Sequence, residues 1–456
     1  MSDGAPQVVL FTRDLRVDDH PALVAAAAAG PVVPLFVLDG RILGGPFAAP
    51  NRLALLAESL VDLHAALADA GAGLAVRHGD VAAQVAAVVA HCGAGAVHLS
   101  LDVSPYAHAR LARLRDALPD HVSGHAHPGI TVHPPGRPSP ASSDAYRVFT
   151  PYWRAWRGLP TREPVGVPDL ALPGDLDATG PDAGQLALLD RSGTAPRRIH
   201  GGLRAAARRL DAWLDGPVDE YVEGHDDLAS DRTSRLSADL HLGTLSPLRV
   251  ALAAGQDTPG REAFVRQLCW RDHWHQLLAD QPSLATEDLR PQGDVWHDAP
   301  EELAAWQQGR TGVPVVDAGM RQLLAEGWMH NRARLVTASF LTKHLRIDWR
   351  VGAAWFEQHL VDGDVANNRA NWQWVTGTGT GGHPNRMLNP YRQSRRFGAA
   401  AYVRRFVPEL AGLDDDTIHE PGTGGLLSDV DYPPPLVDHA TARGRFLSER
   451  GQDVGR

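Results

Sequence analysis

Short apolar runs alternate with helical patterns over the first part of the chain. Runs typical of buried strands occupy residues 8–11, 32–38, 74–76 and 96–99, and helical periodicity occupies residues 53–70, 81–91 and 106–118. Because strands that alternate with helices form parallel sheets, this part predicts a doubly wound α/β domain over residues 1–127. No Gly-x-Gly-x-x-Gly follows the first strand, which excludes the ordinary dinucleotide-binding fingerprint at that position.

A proline-rich segment follows, and the pattern beyond it is almost entirely helical. Residues 128–196 hold twelve prolines and few long apolar patterns, so they predict an irregular connector between two domains. We expect the aromatic cluster of residues 146–152 to dock on the second domain. That domain, residues 197–456, is predicted to be all-α, with helices at 201–214, 261–279, 317–327, 328–345 and 351–360. Beyond residue 413, acids, prolines and glycines increase, which predicts a loosely held tail.

The composition excludes several classes of protein. Two cysteines, Cys92 and Cys269, cannot form a disulfide framework or a four-cysteine iron–sulfur site, and no metal site is predicted. The start of the chain lacks a basic-then-apolar signal segment, and no apolar run approaches the ~20 residues of a membrane span. The sequence therefore predicts a cytoplasmic protein. Lys343 is the only lysine among 44 Lys and Arg residues, a skew that we attribute to codon bias.

The charge distribution changes the interpretation of the net charge. A net charge of −10 argues against a nucleic-acid partner, but residues 321–405 hold thirteen Arg or Lys against five Asp or Glu. This segment carries +8, which leaves −18 on the remainder. A basic patch on an acidic protein fits a polyanion docked on one face, although a merely solvated surface in an Arg-rich chain is the alternative.

Polar and aromatic residues are concentrated in residues 362–374, which read Asp-Gly-Asp-Val-Ala-Asn-Asn-Arg-Ala-Asn-Trp-Gln-Trp. Asn and Asp are poor in helix interiors, so we predict a loop that opens into a short aromatic-rich turn. Carboxylates and amides that converge on one turn favour a flat, polar ligand such as a flavin or a base. Two tryptophans that anchor a loop to the core are the alternative explanation.

Two further groups of residues suggest binding surfaces. Thr233, Ser234 and Ser237 precede a helical stretch and could cradle a diphosphate, although capping without a ligand is commoner. On the predicted helix 261–279, one face holds Gln267, Trp270, Arg271 and Trp274, while Phe264 lies on the opposite, core-like side. A face with two tryptophans, an arginine and a glutamine is a poor core and a good platform for stacking bases.

Five motifs occur in order along the second half of the chain. They are Trp270-Arg271-Asp272, the stretch from Arg310 to Arg321 (Arg-Thr-Gly-x-Pro-x-Val-Asp-x-Gly-Met-Arg), Gly327-Trp328-Met329-His330-Asn331-Arg332-x-Arg334, Ile347-Asp348-Trp349-Arg350, and residues 362–374. Together they resemble the cryptochrome/photolyase family, and within it the class I cyclobutane-dimer DNA photolyases, over roughly residues 8–413. The resemblance implies an α/β antenna domain, a long connector and an all-helical domain that binds FAD and DNA.

The resemblance also implies an activity and a partner. The implied activity is light-driven repair of cyclobutane pyrimidine dimers in DNA, by electron transfer from excited reduced FAD. The alternative is a blue-light photosensory cryptochrome without repair activity. The partner is damaged DNA whose dimer is flipped into the FAD pocket, and the protein is expected to be a monomer.

The FAD site follows residue by residue from the resemblance. It assigns FAD contacts to Tyr221, Thr233, Ser234, Arg235, Leu236, Ser237, Phe264, Arg334, Asp362, Gly363, Asp364 and Asn368. Arg334 is expected to pair with Asp362, and Asn368 is expected to face N5 of the flavin, where a neutral amide can hydrogen-bond without supplying a proton. Trp372, Trp349 and Trp296 match the electron-hopping chain of the family. Tryptophan suits this role because its indole ring can be oxidised.

The DNA side and the antenna site depart from the family pattern at several positions. The implied DNA contacts are Gln267, Trp270, Arg271, Trp274, Asn331, Arg332, Trp374, Arg386 and Gln393. Gln267 replaces the usual substrate Glu, and Leu335 replaces the usual Met under the dimer. A second, light-harvesting chromophore is expected to be a deazaflavin rather than a folate. The folate-binding Glu is replaced near Tyr106, while Asp39, Arg52 and Asp102 loosely resemble deazaflavin-site positions.

Overall fold

A computed structural model describes residues 4–140, 145–174, 176–421 and 430–452. The chain divides into two compact units. The first unit comprises residues up to 194 together with 199–219 and 234–282, and the second comprises 195–198, 220–233 and 283 onward. The domain boundaries expected after residues 127 and 196 stay a prediction, and residues 141–144 and 175 of the predicted connector lie outside the described part. Within the described ranges, no helix is long and apolar enough to cross a membrane.

The first unit is built around a five-stranded parallel sheet. The strands are β1 (Gln7–Phe11), β2 (Val32–Asp39), β3 (Ala75–Gly79), β4 (Ala96–Ser100) and β5 (Ser123–His127), in the order β3-β2-β1-β4-β5. β1, β2 and β4 are buried along their whole length, which is why they appear in the sequence as unbroken apolar runs. Val8 of β1 lies opposite Val33 on one side and Val97 on the other. The predicted doubly wound sheet is confirmed, and only β5 was missed, because its sequence Ser-Gly-His-Ala-His is mostly exposed.

The other regular elements of both units are helices, joined by irregular segments. The described α-helices, in chain order, are α1 (Pro21–Ala29), α2 (Gly40–Leu43), α3 (Pro50–Asp69), α4 (Val81–Cys92), α5 (Pro105–Ala117), α6 (Phe149–Gly158), α7 (Ala183–Ala187), α8 (Leu203–Leu214), α9 (Tyr221–Gly224), α10 (Ser237–Leu242), α11 (Pro247–Ala254), α12 (Pro259–Asp280), α13 (Pro300–Gln308), α14 (Pro314–Glu326), α15 (Asn331–Ser339), α16 (Trp349–His359), α17 (Val365–Thr376), α18 (Pro390–Arg396), α19 (Ala399–Phe406) and α20 (His439–Glu449). A π-helical turn, Phe340–His344, extends α15. Short 3₁₀ turns lie at Pro217–Glu220, Pro282–Ala285, Pro408–Leu410 and Thr417–His419.

The second unit packs its helices around one apolar core. α9 and α13 to α20 belong to this unit, and its core includes Trp306, Trp349, Phe356 and Trp372. The predicted all-helical second part of the chain is therefore confirmed.

The loop predicted for residues 362–374 is wrong, because most of that stretch forms α17. Asp364 caps the helix: its Oδ1 accepts hydrogen bonds from Asn367 N at 2.8 Å and Asn367 Nδ2 at 2.7 Å. Asn371 Nδ2 donates to Asn367 O at 2.8 Å. The asparagine side chains thus bond within the helix or to its neighbours, and tertiary packing overrides their weak intrinsic helix propensity.

Two further expectations about the second unit are corrected. α14 begins at Pro314 rather than at Asp317, whose buried carboxylate accepts from Thr311 N at 2.7 Å and from Gly312 N at 3.1 Å. The helix does end at Gly327, where φ is +61° and glycine carries no steric penalty. The described part of the tail is not loosely held, because Phe446 of α20 is completely buried.

Candidate active site

An ion pair joins α15 to the segment before α17. Arg334 Nη2 lies 2.9 Å from Asp362 Oδ2 and 3.2 Å from Asp362 Oδ1, as the sequence predicted. Arg334 Nε also donates to Met329 O at 2.8 Å, which fixes the guanidinium plane. Asp362, Gly363 and Asp364 are all buried. The pair therefore holds a carboxylate in a defined orientation at the start of α17.

The amide of Asn368 is oriented by its neighbours on α16. Asn368 Nδ2 donates to Ala353 O at 3.0 Å and to Glu357 Oε1 at 3.0 Å. Because both neighbours accept hydrogen bonds, the nitrogen must face them, and the amide oxygen remains as the acceptor for a ligand. Arg369 Nε and Nη2 in turn donate to Glu357 at 2.8 Å and 2.5 Å. An oriented amide oxygen fits the N5–H of a reduced flavin, which is a donor.

Glu357 is the residue of this group that the sequence did not indicate. It is buried and paired with Arg369, so its carboxylate is held in place as an acceptor for Asn368. Its only signal in the sequence is a helical position that faces α17, and that position could not be recognised before the partner helix was known.

The three tryptophans of the predicted electron chain share the apolar core of the second unit. Trp372 and Trp349 are buried members of this core, and the partly buried Trp296 packs against it. The ring of Trp372 contacts Phe356 at a centroid distance of 5.0 Å and Trp306 at 6.3 Å, both edge-on. Trp349 Nε1 donates to Asp288 Oδ1 at 2.8 Å. These contacts fix the rings of Trp372 and Trp349.

The predicted phosphate-binding residues fall in both compact units, and each set is described by itself. In the first unit, Ser234 Oγ accepts from Leu236 N at 3.4 Å, and Arg235 adopts a left-handed φ of +51° immediately before α10. Phe264 is buried with its ring 5.5 Å from that of Trp213. Ser237 is exposed at the first position of α10.

In the second unit, Tyr221 and Thr233 are half-buried. Thr233 Oγ1 donates to Asp231 Oδ1 at 3.3 Å, and the Tyr221 ring lies 5.1 Å from that of His225. Burial and Asp226 raise the pKa of the Tyr221 phenol, so it stays a hydrogen-bond donor at any physiological pH.

The face of α12 that was predicted as a platform is only partly open. Gln267 is exposed, whereas Arg271 and Trp274 are buried, so the expectation that this face makes a poor core is wrong for those two residues. Arg271 donates to Ile130 O at 2.5 Å and to Leu240 O at 3.1 Å. Its guanidinium is therefore used inside the protein. Trp270 stacks face to face on Phe149, with centroids 3.6 Å apart and planes 4° apart.

A buried carboxylate and a buried imidazole lie next to Trp270 on the same helix. Asp272 accepts hydrogen bonds from Trp156 Nε1 at 2.9 Å and from His133 N at 3.0 Å, and burial raises its pKa. His273 lies among aromatic rings, and burial lowers its pKa to about 4. Both groups are buried: Asp272 ties α12 to Trp156 and to the backbone at residues 132–133, and the His273 ring packs against Phe149 and Trp270.

The remaining predicted DNA contacts differ in exposure. Asn331 and Arg386 are exposed, and Trp374 is 38% exposed although it is a large aromatic residue. Gln393 is half-buried. Arg332 is instead paired with both oxygens of Asp226 at 2.6 Å, and its guanidinium lies 4.1 Å above the ring of Phe397.

Two family descriptions match this chain over most of its length. Residues 7–169 match the family described as DNA photolyase, and residues 264–452 match the one described as the FAD binding domain of DNA photolyase. The chain belongs to the DNA photolyase family. The second match includes the buried Asp362, the oriented Asn368 and the three tryptophans of the predicted chain, so this is the part of the chain that binds FAD.

Similar proteins include photolyases and a cryptochrome. A deoxyribodipyrimidine photo-lyase of Streptomyces griseus is 48% identical over 98% of this chain and 99% of its own length. A bacterial class III photolyase from Agrobacterium tumefaciens has a similar structure, with a TM-score of 0.89, 34% identity, and coverage of 99% of this chain and 98% of its own. A Synechocystis cryptochrome has a TM-score of 0.88 at 26% identity, and the match covers 98% of this chain and 100% of its own. The fold alone therefore does not distinguish a photolyase from a cryptochrome.

Proposed function

We propose that this photolyase-family protein is a deoxyribodipyrimidine photolyase, which repairs cyclobutane pyrimidine dimers in DNA under light. When reduced FAD is bound, it supplies the electron that opens the cyclobutane ring, and that electron then returns to the flavin. The chain's own residues bind and orient the flavin and the lesion, exclude water and restore the flavin to its reduced state.

The observation that carries the proposal is the orientation of Asn368. Its amide nitrogen donates hydrogen bonds to Ala353 O and Glu357 Oε1, so its oxygen can accept a hydrogen bond from a reduced flavin ring. An amide cannot deliver a proton at this position, which favours a flavin that stays reduced between turnovers. Repair requires that state, whereas a photosensor requires a change of flavin state under light.

The decisive experiment is illumination of the purified, reduced protein with an oligonucleotide that contains one thymine dimer. We expect restored thymines that increase with light dose, and none in the dark or without reduction. An Asn368→Asp variant serves as the matched control, and we expect it to bind FAD but to lose the reduced form faster in air. Absence of repair by the reduced wild-type protein would contradict the proposal.

On the DNA side, we propose that the dimer is flipped out of the duplex and contacts Trp270 and Trp374. Base extrusion is the general rule for enzymes that act on a base inside a duplex, photolyases among them. The stack of Phe149 on one face of Trp270 supports this role, because it makes Trp270 a rigid wall. We also propose that Gln267, Asn331, Arg386 and Gln393 contact the lesion or the rim of the site, and that the protein acts as a monomer in the cytoplasm.

For the electron chain, we propose that Trp296, Trp349 and Trp372 would pass an electron toward bound oxidised FAD, and that a reductant in solution would restore the oxidised tryptophan. These three residues lie in or against one apolar core, which supports the proposal. Water is excluded from such a core, so fewer proton transfers compete with electron transfer. The Asp288 carboxylate accepts a hydrogen bond from the Trp349 indole N–H at 2.8 Å. It can therefore stabilise the positive charge that Trp349 carries when it is oxidised.

A photosensory cryptochrome is the second candidate, and Gln267 is the observation that favours it. A glutamine at this position cannot protonate the dimer, and the Gln267 side chain makes only a 3.4 Å contact with Ala263 O of its own helix. The illumination experiment separates the two candidates, because a photosensor would change its absorption under light without restoring thymine.

We further propose a second chromophore, a deazaflavin, at the carboxyl edge of the sheet. Crevices at that edge of a doubly wound sheet are the general binding place for ligands. Asp39 ends β2 there and accepts from Tyr106 OH, while Asp102 follows β4 and lies 3.8 Å from Arg13. Mass spectrometry of the chromophores released from the native protein tests this proposal, and a folate mass would contradict it.

A further inference from the structure

A loop rich in glycine follows α17 and connects two of the proposed DNA contacts. This segment, residues 377–386, is called the glycine loop and reads Gly-Thr-Gly-Thr-Gly-Gly-His-Pro-Asn-Arg. It begins three residues after Trp374 and ends at Arg386. Glycine has the largest backbone freedom of any residue, and small side chains offer little packing area. A defined conformation of the glycine loop must therefore be imposed by other parts of the second unit.

Three cationic side chains hold the backbone of the glycine loop. Lys343 Nζ donates to Arg386 O at 2.6 Å and to Pro384 O at 3.2 Å. Arg290 donates to Gly379 O at 2.6 Å and to Gly381 O at 2.7 Å. Arg450, which follows α20, donates to Pro384 O at 2.9 Å and to Thr376 O at 3.0 Å. Hydrogen bonds from charged donors are stronger than neutral ones, so these contacts can offset the backbone entropy of the glycines.

Lys343 is the unusual member of this set. It is the only lysine in a chain with 44 Lys and Arg residues, and it is 1% exposed. Wherever an exposed cation suffices, this chain uses arginine. A compact ammonium with three donors fits a narrow buried position, whereas a planar guanidinium is larger and has a fixed fork. The lysine is therefore explained by its place beneath the loop rather than by codon bias alone.

We propose that Lys343 is a positioning residue for DNA binding, which holds the glycine loop in the conformation that receives damaged DNA. The inference rests on the proposed function, because it assumes that Trp374 and Arg386 meet the lesion and its flanks. The loop also borders the tryptophan directly: a methyl group added at Gly381 would lie 3.2 Å from Trp374 Nε1. On its outer side, residues 382–386 line an open depression of about 560 Å³.

The charges around Lys343 make its effect dependent on pH. Asp294 and Glu449 pair with Arg346, and Asp294 also pairs with Arg450 at 2.5 Å. Burial, reinforced by Arg450, Arg386 and Arg346, lowers the pKa of Lys343 to about 7, although Asp294 opposes the shift. The ammonium is thus present below this pH and lost above it. Because DNA is a polyanion, we expect its affinity to fall as pH rises through about 7.

Other titratable groups near Lys343 are distinguishable from it. Burial lowers the pKa of His344 to about 3, and it also lowers that of His439, whose Nδ1 lies 2.9 Å from His344 Nε2. The His344 imidazole is therefore neutral across the relevant range, and the shift of His439 moves its titration further below that of Lys343. His383 belongs to the glycine loop itself, so the pH measurements are made in a His383→Asn background.

The first test compares Lys343→Met with the wild-type protein, with FAD bound. Dissociation constants are measured in the dark for a dimer-containing duplex and for its undamaged counterpart, and repair per absorbed photon is measured at saturating protein. We expect binding of the damaged duplex to weaken about tenfold, the effect of losing one charged hydrogen-bond donor. FAD content and repair per photon in the bound complex should stay as in the wild type.

The matched control is Arg321→Met. Arg321 also donates to a backbone carbonyl, Gly309 O at 2.9 Å, and pairs with an acid, but it contacts no residue of the glycine loop in the described part of the chain. We expect its DNA affinity to equal that of the wild type. Amide hydrogen exchange should increase in residues 377–386 of Lys343→Met and not in Arg321→Met.

The second test follows the DNA-binding constant of the His383→Asn protein, in which Lys343 is intact, from pH 6 to pH 8.5. We expect affinity to decline through pH 7, and the decline to vanish when Lys343→Met is added. Unchanged affinity and unchanged loop exchange in Lys343→Met, or a pH profile that Lys343→Met leaves intact, would overturn the inference. Because wild-type repair is measured separately, its absence would instead contradict the proposed function.

Discussion

A buried carboxylate determines which end of the Asn368 amide is offered to a ligand. Glu357 Oε1 accepts from Asn368 Nδ2 at 3.0 Å and from Arg369 Nε at 2.8 Å. A glutamine at position 357 would present a hydrogen-bond donor as well as an acceptor, so the Asn368 amide could flip and exchange the positions of its oxygen and nitrogen. We therefore expect Glu357→Gln to bind FAD but to lose its reduced form in air about tenfold faster, since one hydrogen bond to a charged group contributes about 1.5–3 kcal/mol.

The rate of reoxidation after photoreduction measures this effect. Glu409→Gln is the matched control, because Glu409 forms a comparable ion pair with Arg321 at 2.6 Å in another part of the second unit. Equal reoxidation rates in both variants would show that Glu357 contributes only to folding.

Trp372 is expected to be essential for photoreduction but not for repair. Phenylalanine preserves most of the packing against Phe356 and Trp306 but is far harder to oxidise than indole. In Trp372→Phe, light should no longer reduce bound oxidised FAD rapidly, while protein that is reduced chemically should still repair dimers. Transient absorption checks the first result and an oligonucleotide assay the second.

The control for this experiment lies in the same core. Trp306 is completely buried and touches Trp372, but it lies outside the proposed chain. Trp306→Phe should photoreduce as the wild type does. An equal loss in both variants would point to distortion of the core rather than to a broken electron route.

Gln267 should support repair less well than a glutamate would. The side chain is exposed and makes only a 3.4 Å contact with Ala263 O, so Gln267→Glu changes the site without disturbing the fold. A protonated Glu can donate to the dimer carbonyls as negative charge develops there, a gain of about 1 kcal/mol. We expect a higher repair yield per photon at nearly unchanged affinity for damaged DNA in the dark. A lower yield in the Glu variant would contradict this role of position 267.

At the scale of elements, α16 and α17 approach closely because Gly352 has no side chain. A methyl group added there would lie 2.3 Å from Trp372 Cη2 and 2.5 Å from Leu341 Cδ2, so one of these groups must move. We expect Gly352→Ala to lower the free energy of unfolding by about 1–3 kcal/mol, the usual cost of overpacking a core. Urea unfolding at constant pH measures the difference.

Gly444 provides the matched control within another helix. It lies inside α20, and a methyl group added there would meet nothing within 4 Å. Gly444→Ala should therefore stabilise the protein by about 0.5–1 kcal/mol through its helix propensity. Displacement of Trp372 in Gly352→Ala should also slow photoreduction, and an unchanged rate would contradict the close approach of the two helices.

Some strands and helices could be predicted from sequence patterns alone, and others could not. β1, β2 and β4 were predictable because each is an apolar run buried on both faces. α17 was not, because its three asparagines bond to Asp364, Asn367, Ala353 and Glu357, contacts that exist only after the helices pack. Local composition favoured a loop, and the packed structure gives those side chains partners that make a helix stable.

At the scale of the whole molecule, the two-part architecture was predictable while the arrangement of the site was not. The change from strand–helix alternation to helices alone extends over hundreds of residues. Errors in predicting single helices or strands therefore do not alter the predicted architecture. The site depends on single contacts between distant positions, such as Lys343 with Arg386 and Arg450 with Asp294. Such pairs leave no periodic signal, which is why the tail was expected to be loose although the Arg450 side chain is buried and donates to the glycine loop.

Buried neutral histidines in both units make the whole protein sensitive to mild acid. The pKa values of His98, His273 and His330 are lowered to about 4, and that of His344 to about 3, chiefly by burial. In the unfolded chain, histidine binds a proton below about pH 6.5. Between about pH 6.5 and 4 the unfolded state therefore holds more protons than the folded state, so stability falls as pH falls. Each such group contributes about 1.4 kcal/mol per pH unit.

His273 allows this effect to be measured one proton at a time. Within the described part of the chain, its two ring nitrogens have no hydrogen-bond partner, and its ring lies 4.9 Å from that of Tyr152 and 5.1 Å from that of Trp274. Phenylalanine can occupy this aromatic site without leaving a buried polar group. In urea unfolding between pH 7.5 and 5, we expect His273→Phe to be more stable than the wild type at the acid end. Below about pH 6.5, the dependence of its stability on pH should be lower than that of the wild type by about 1.4 kcal/mol per unit. Equal slopes in the two proteins would mean that His273 is already protonated in the folded state.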